Sequence, residues 1–182
     1  MGTSTTILVR DTRTTALGVV GFAVALAAAS QVAIPLPGTP VPMTLQPLVV
    51  VLAGLWLGPV AGATSMALYL LAGAAGLPVF APMGAPGFAR LLGPTGGYLW
   101  AYPVAAFLAG LVVARRRDVA FRLLAAAAGI AAIHLGGFLQ LLALTGDAER
   151  AWALGAAPFV PLDLVKVLAA AALSPKTPRA TA

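Results

Sequence analysis

Six long apolar stretches constrain this chain more than any single motif. They run over residues 14–34, 44–58, 60–77, 96–114, 119–144 and 157–173, separated by short basic turns or Gly/Pro-rich loops. A helix needs about 20 apolar residues to cross the hydrocarbon layer of a bilayer, fewer where it is partly sheltered. Hydrophobic residues make up 60% of the chain and charged residues only 9%. A soluble domain carries roughly 25% charge, so this composition cannot cover a water-facing surface. The reading is an all-α integral membrane protein with a single membrane domain, residues 1–182. It is expected to be a compact bundle of six transmembrane helices that crosses the inner (cytoplasmic) membrane several times.

Charge placement orients the bundle. With the N-terminus inside, the cytoplasmic side holds Arg10, Arg13, Arg115, Arg116, Arg117, Arg122, Lys176 and Arg179, and the outside holds Arg90 and Arg150. That asymmetry follows the positive-inside rule and puts both termini in the cytoplasm. A competing reading takes Arg10, Arg13 and the run ending "ALAAAS" as a signal peptide; five spans would remain, with a poorer charge fit. Three loops then face outward: 35–43, 78–95 and 145–156. The first carries Pro35, Pro37, Pro40 and Pro42, so it is expected to be stiff and extended, because proline fixes φ and removes a donor. Elaborate loops on one side point to specific chemistry on that side.

Several function classes drop out. No basic stripe interleaves with aromatic residues, so the charge of +6 does not suggest nucleic acid. There is no cysteine, hence no disulfide and no thiolate site, and a lone His134 cannot build a metal centre. No nucleophile–base set stands out, and the phosphate-loop lysine is missing from the Gly-rich segment 91–98. No catalytic residue and no cofactor is therefore expected in this chain.

The informative residues are charged groups where lipid is expected. Asp163 and Lys166 lie three positions apart in the last apolar stretch. Each charge near the bilayer centre costs roughly 2.5–3.5 kcal/mol on insertion scales. At that spacing the two can neutralise each other or grip one polar ligand. Six to nine residues from the expected helix end, they would lie about 9–14 Å deep. Buried ion pairs stabilise poorly compared with apolar packing, which favours a ligand clamp over a structural pair. Arg90, in an outer loop, suits a carboxylate or is simply solvated. Thr44 and Gln46 open the second helix, where they can bind a ligand or cap the helix. Tyr98 lies near the outer mouth. His134 reads as a hydrogen-bonding partner for a neighbouring helix, with a proton relay as the alternative. Small residues such as the pairs Ala23/Ala27 and Gly54/Gly58 permit close helix approach.

The motifs "VPMTLQ" (41–46) after a Pro-rich loop, "GLPVFA" (76–81), "GPTGGY" (93–98) and "DLVK" (163–166) together resemble the BioY family, over roughly residues 20–173. These are biotin-binding S components of energy-coupling-factor transporters. The resemblance implies a six-helix subunit that binds biotin under its outer loops. It also implies a transmembrane coupling protein and two cytoplasmic ATPases as partners, with ATP used by those partners. It places Asp163 and Lys166 on the ureido ring and Arg90 on the valerate carboxylate, with Thr44, Gln46, Gly97 and Tyr98 in matching motifs. It makes Ala23 and Ala27 part of the surface offered to the coupling protein. Self-association is left open. The alternative is a stand-alone, proton-coupled secondary transporter of a small carboxylate-bearing solute, with Asp163 and His134 carrying the proton.

Overall fold

A computed structural model describes residues 12–175. Arg10, Lys176 and Arg179, on which part of the charge asymmetry rests, lie outside the described residues. The chain forms α1 (Thr12–Gln31), a two-stranded hairpin of β1 (Ala33–Ile34) and β2 (Met43–Thr44), then α2 (Gln46–Leu57) and α3 (Pro59–Ala74). It continues through α4 (Ala89–Leu92), α5 (Gly96–Arg115), α6 (Val119–Thr145), α7 (Ala148–Gly155) and α8 (Val160–Leu173).

Burial is inverted relative to a water-soluble protein. Leu17, Val60 and Leu71 are 75%, 70% and 69% exposed, whereas Arg90, Asp163 and Lys166 are 5%, 5% and 7% exposed. Apolar side chains on the outside and charges on the inside suit a lipid environment, where charged groups face the bundle interior. Among the described residues, three helices, α1, α5 and α6, are long and apolar enough to cross a membrane. α7 and α8 meet the same test only as a pair, bent by 53° at their junction. α2 and α3, with 12 and 16 residues, rise about 18 and 24 Å at 1.5 Å per residue. Both are shorter than the roughly 30 Å hydrocarbon core.

α2 turns into α3 at Gly58, whose φ of +87° is open to glycine and strained for other residues. The helical hairpin is tight: a Cβ at Gly62 would stand 3.0 Å from the Cα of Gly54, and one at Gly54 would strike the carbonyl of Ala106 on α5. The pair Gly54/Gly58 therefore divides its work between close approach and a turn. α5 and α6 make the most extensive helix pair, closing on each other at Gly97 and Gly136.

Hydrogen bonds fix which helix ends share a side. Trp56 Nε1 donates to Leu173 O, and Arg122 donates to Ala171 O and Ser174 O. The ends of α2 and α8 thus meet the start of α6, and the arginines there satisfy terminal carbonyls as well as setting charge. At the opposite end, Gln140 donates to Leu92 O, Thr39 to Leu154 O and Tyr98 to Gly155 O.

Four expectations need correction. Ala23 is buried in the core and Ala27 packs against it, so the outward face of α1 is instead Leu17, Val20, Val24 and Ala28. The segment 145–156 is mostly helical, because Gly146 ends α6 in the left-handed region and the Asp147 side chain caps α7 by accepting from Arg150 N. The loop 78–95 contains the short helix α4. Finally, the last long helix begins at Val160, which puts Asp163 in its first turn. Asp163 and Lys166 are then about 5–9 Å along α8 from its start, shallower than the run from 157 implied.

Candidate ligand-binding site

The pocket begins with one carboxylate. Asp163 sits at the positive end of α8, where the helix dipole lowers the cost of a buried negative charge. Lys166, one turn later, donates Nζ to Asp163 Oδ1 at 2.7 Å. His134, from the middle of α6, bonds the other oxygen through Nε2. An ionised carboxylate only accepts, so Nε2 carries the proton in that bond. The other ring nitrogen, Nδ1, is buried and has no partner among the described residues. Tyr98 and Phe159 pack near the imidazole, with ring centroids 6.3 and 6.1 Å away. The three polar groups form one cluster at the bottom of a pocket.

Apolar and aromatic walls rise from that cluster. Ile133, Phe159, Leu99, Tyr98, Tyr102, Val41, Pro42, Pro47, Phe80 and Ala81 line the rest of the pocket. Gln46 lies at the start of α2 and is buried. Its amide donates to Tyr69 Oη at 2.8 Å and accepts from Thr44 Oγ1 at 3.2 Å. Both Thr44 and Gln46 line the pocket, held by each other and by a tyrosine of α3.

Arg90 stands at the mouth. One turn of helix, α4, points it inward, and its guanidinium donates to the carbonyls of Met83 and Ala81. A guanidinium has five donors, so these loop anchors leave others for a ligand. Burial lowers the pKa of this group below the usual arginine range, a cost that an anionic partner would offset. Arg90, Pro42 and Thr95 also border a second cavity, between the proline loop and the 83–95 segment. It adjoins the pocket at its Arg90 end.

The structure thus gathers Asp163, Lys166, Arg90, Tyr98, Gln46 and Thr44 around a single pocket. Gly97 is not among its lining residues. A Cβ there would strike the carbonyl of Gly136 on α6, so its small size serves helix contact. Tyr98 lines the pocket but spends its hydroxyl on Gly155 O at 2.6 Å. Residues that sequence reasoning left out of the site are His134, Tyr102, Phe159 and Thr95. The single signal for His134 was a titratable group in the middle of an apolar run.

These features define a helical membrane protein with a deep pocket for a small amphipathic ligand, polar at both ends and apolar between them. The chain matches the BioY family over residues 3–182. Among its relatives, the probable biotin transporter BioY of Pyrococcus horikoshii is 45% identical over 131 residues, 72% of this chain and 76% of that protein. The biotin transporter BioY of Thermotoga maritima is 39% identical over 141 residues, 78% of this chain and 83% of that protein. The crystal structure at 2.1 Å of the S-component for biotin from an ECF-type ABC transporter superposes with a TM-score of 0.82. It covers 91% of this chain and 92% of that one at 23% identity, which speaks for the fold alone. The chain belongs to the BioY family.

Proposed function

We propose that this chain is the biotin-binding subunit of a vitamin importer. The observation that carries the reading is the pocket with a buried Asp163–Lys166 pair at its floor and Arg90 at its mouth. Biotin has a neutral cyclic urea, an apolar sulfur ring and an anionic valerate tail. The floor supplies an acceptor in Asp163 and a donor in Lys166 for the urea N–H and C=O groups. The aromatic walls suit the ring, and the remaining Arg90 donors suit the carboxylate. Relatives described as biotin transporters support the same ligand.

On this reading the chain does no chemistry. It presents biotin from the outer side and works with a transmembrane coupling protein and two cytoplasmic ATPases, which use the ATP. The bundle has six spans, α7 and α8 together forming the last, with both termini in the cytoplasm and the short α2 and α3 sheltered by their neighbours. Arg13, Arg115 to Arg117 and Arg122 then sit on the inner side, as the positive-inside rule favours.

Titration calorimetry of the purified chain with biotin tests the proposal, beside Asp163→Asn and Lys166→Ala variants that retain their fold. Tight binding by the parent and a loss of several kcal/mol in the variants is the expected result. Unimpaired variants would return the pair to a structural role. A folded parent that ignores biotin would overturn the ligand assignment.

A further inference from the structure

His134 lines the pocket with its side chain 20% exposed and its Nδ1 atom buried, and the proposed biotin contacts make no use of it. It is the only histidine of the chain, and it approaches Asp163 from a different helix. Lys166 cannot do the same job, because it lies on α8 with Asp163 and moves with it. A carboxylate held through one oxygen remains free to turn about its last torsion, a broad and soft coordinate. Held through both oxygens by groups on two helices, it has one plane. Each carboxylate oxygen offers two lone-pair sites, so Lys166 and His134 leave acceptor capacity on both.

The unpaired Nδ1 points the same way. Nε2 faces Asp163, while Nδ1 is buried without a partner and Tyr98 and Phe159 pack near the ring. A protonated Nδ1 would be an unmatched buried donor, which costs more than a bare nitrogen in the same place. The bond to Asp163 places the donor on Nε2. That fits a donor that orients Asp163; a proton carrier would need a partner on its second nitrogen.

We infer that His134 is a positioning residue of the ligand site, fixing the plane of the Asp163 carboxylate so that a free lone pair faces an N–H donor of the ligand. This deepens the biotin reading and rests on it, since the cyclic urea is what presents an N–H beside its C=O. The histidine then contributes selectivity for an N–H-donating head group by acting through Asp163.

The test compares the full-length parent, His134→Gln, His134→Leu and Asp163→Asn in detergent. Each is titrated with biotin and with biotin methylated at one ureido nitrogen. Loss of a bond to a charged group predicts that His134→Leu binds biotin roughly tenfold or more weakly. It should also discriminate less between the two ligands than the parent does. His134→Gln, which keeps a side-chain N–H, should recover most of both. A 15N spectrum of the single imidazole, taken on protein carrying no histidine tag, should show the proton on Nε2. A His134→Leu protein with parental melting, parental affinity and parental discrimination would overturn the inference, and so would a proton on Nδ1. If Asp163→Asn still loses binding in that case, the biotin reading stands and only the positioning role falls. A folded parent that binds neither ligand would sink both.

Discussion

Removing Asp163 should destabilise the protein, and removing its partner as well should restore much of that loss without restoring ligand binding. Asp163→Leu leaves the Lys166 ammonium, whose side chain is 9% exposed, without a counter-charge, and leaves the His134 Nε2–H without an acceptor. Breaking a buried pair from one side costs about 3–5 kcal/mol. For a chain of this size that is a fall in melting temperature of roughly 6–20 °C, at 2–4 °C per kcal/mol. In Asp163→Leu/Lys166→Met the stranded cation is gone. The remaining cost is the unpaired imidazole N–H, about 1–3 kcal/mol, so the double variant should melt clearly above the single one. Biotin binding should be absent from both. Trp56, Trp100 and Trp152 give a fluorescence readout of unfolding in detergent, and calorimetry gives the ligand. The reasoning fails if the single variant melts with the parent, or if the double variant melts no higher than the single. It fails equally if the double variant binds biotin, because the pair would then be a structural feature with no part in recognition.

Other perturbations separate packing from recognition. Arg90→Gln should weaken binding of biotin by about 10–100-fold, the worth of a charge-assisted bond, and change binding of neutral biotin amide far less; equal losses for the two ligands would contradict a carboxylate contact. Gly136→Ala places a Cβ 2.5 Å from Gly97 O and 2.6 Å from Ala101 Cβ, so it should lower stability by about 1–3 kcal/mol through overpacking. Gly21→Ala meets nothing within 4 Å on α1 and should be neutral or stabilising by up to about 1 kcal/mol, and melting curves of the two glycine variants decide this. Tyr69→Phe removes the acceptor of the buried Gln46 amide, which should cost about 1–3 kcal/mol in unfolding and several-fold in biotin affinity. Parental affinity in that variant would show that Gln46 is not held for the ligand.

The membrane class was legible because it depends on composition and run length, which no tertiary contact can reverse. The Asp163–Lys166 pair was legible because its spacing is local: three positions on a helix bring two side chains together whatever surrounds them. Helix ends were read less well. The turn at Gly58 and Pro59 declared itself, but α7 is eight residues long and carries no long apolar run. Its start was nonetheless written in Gly146 and Asp147, a left-handed C-cap followed by an N-cap, a signal that reading 145–156 as a loop passes over.

Small residues and isolated polar ones were ambiguous for a physical reason. A glycine or alanine lets something approach, but sequence does not say what. At Gly97 it is the backbone of Gly136, and at Ala23 it is the protein's own core, so neither faces the partner that its motif suggested. His134 presents the converse case. It is 29 positions from Asp163, and only the packing of α6 against α8 brings the two together. A lone histidine in lipid satisfies its ring through another helix or leaves it unsatisfied. Here it does both, one nitrogen on Asp163 and the other bare. That asymmetry separates an orienting role from a proton relay, which would need partners on both sides of the ring. Sequence singled out His134 as a partner for another helix, but a separation of 29 positions hid that the partner is Asp163.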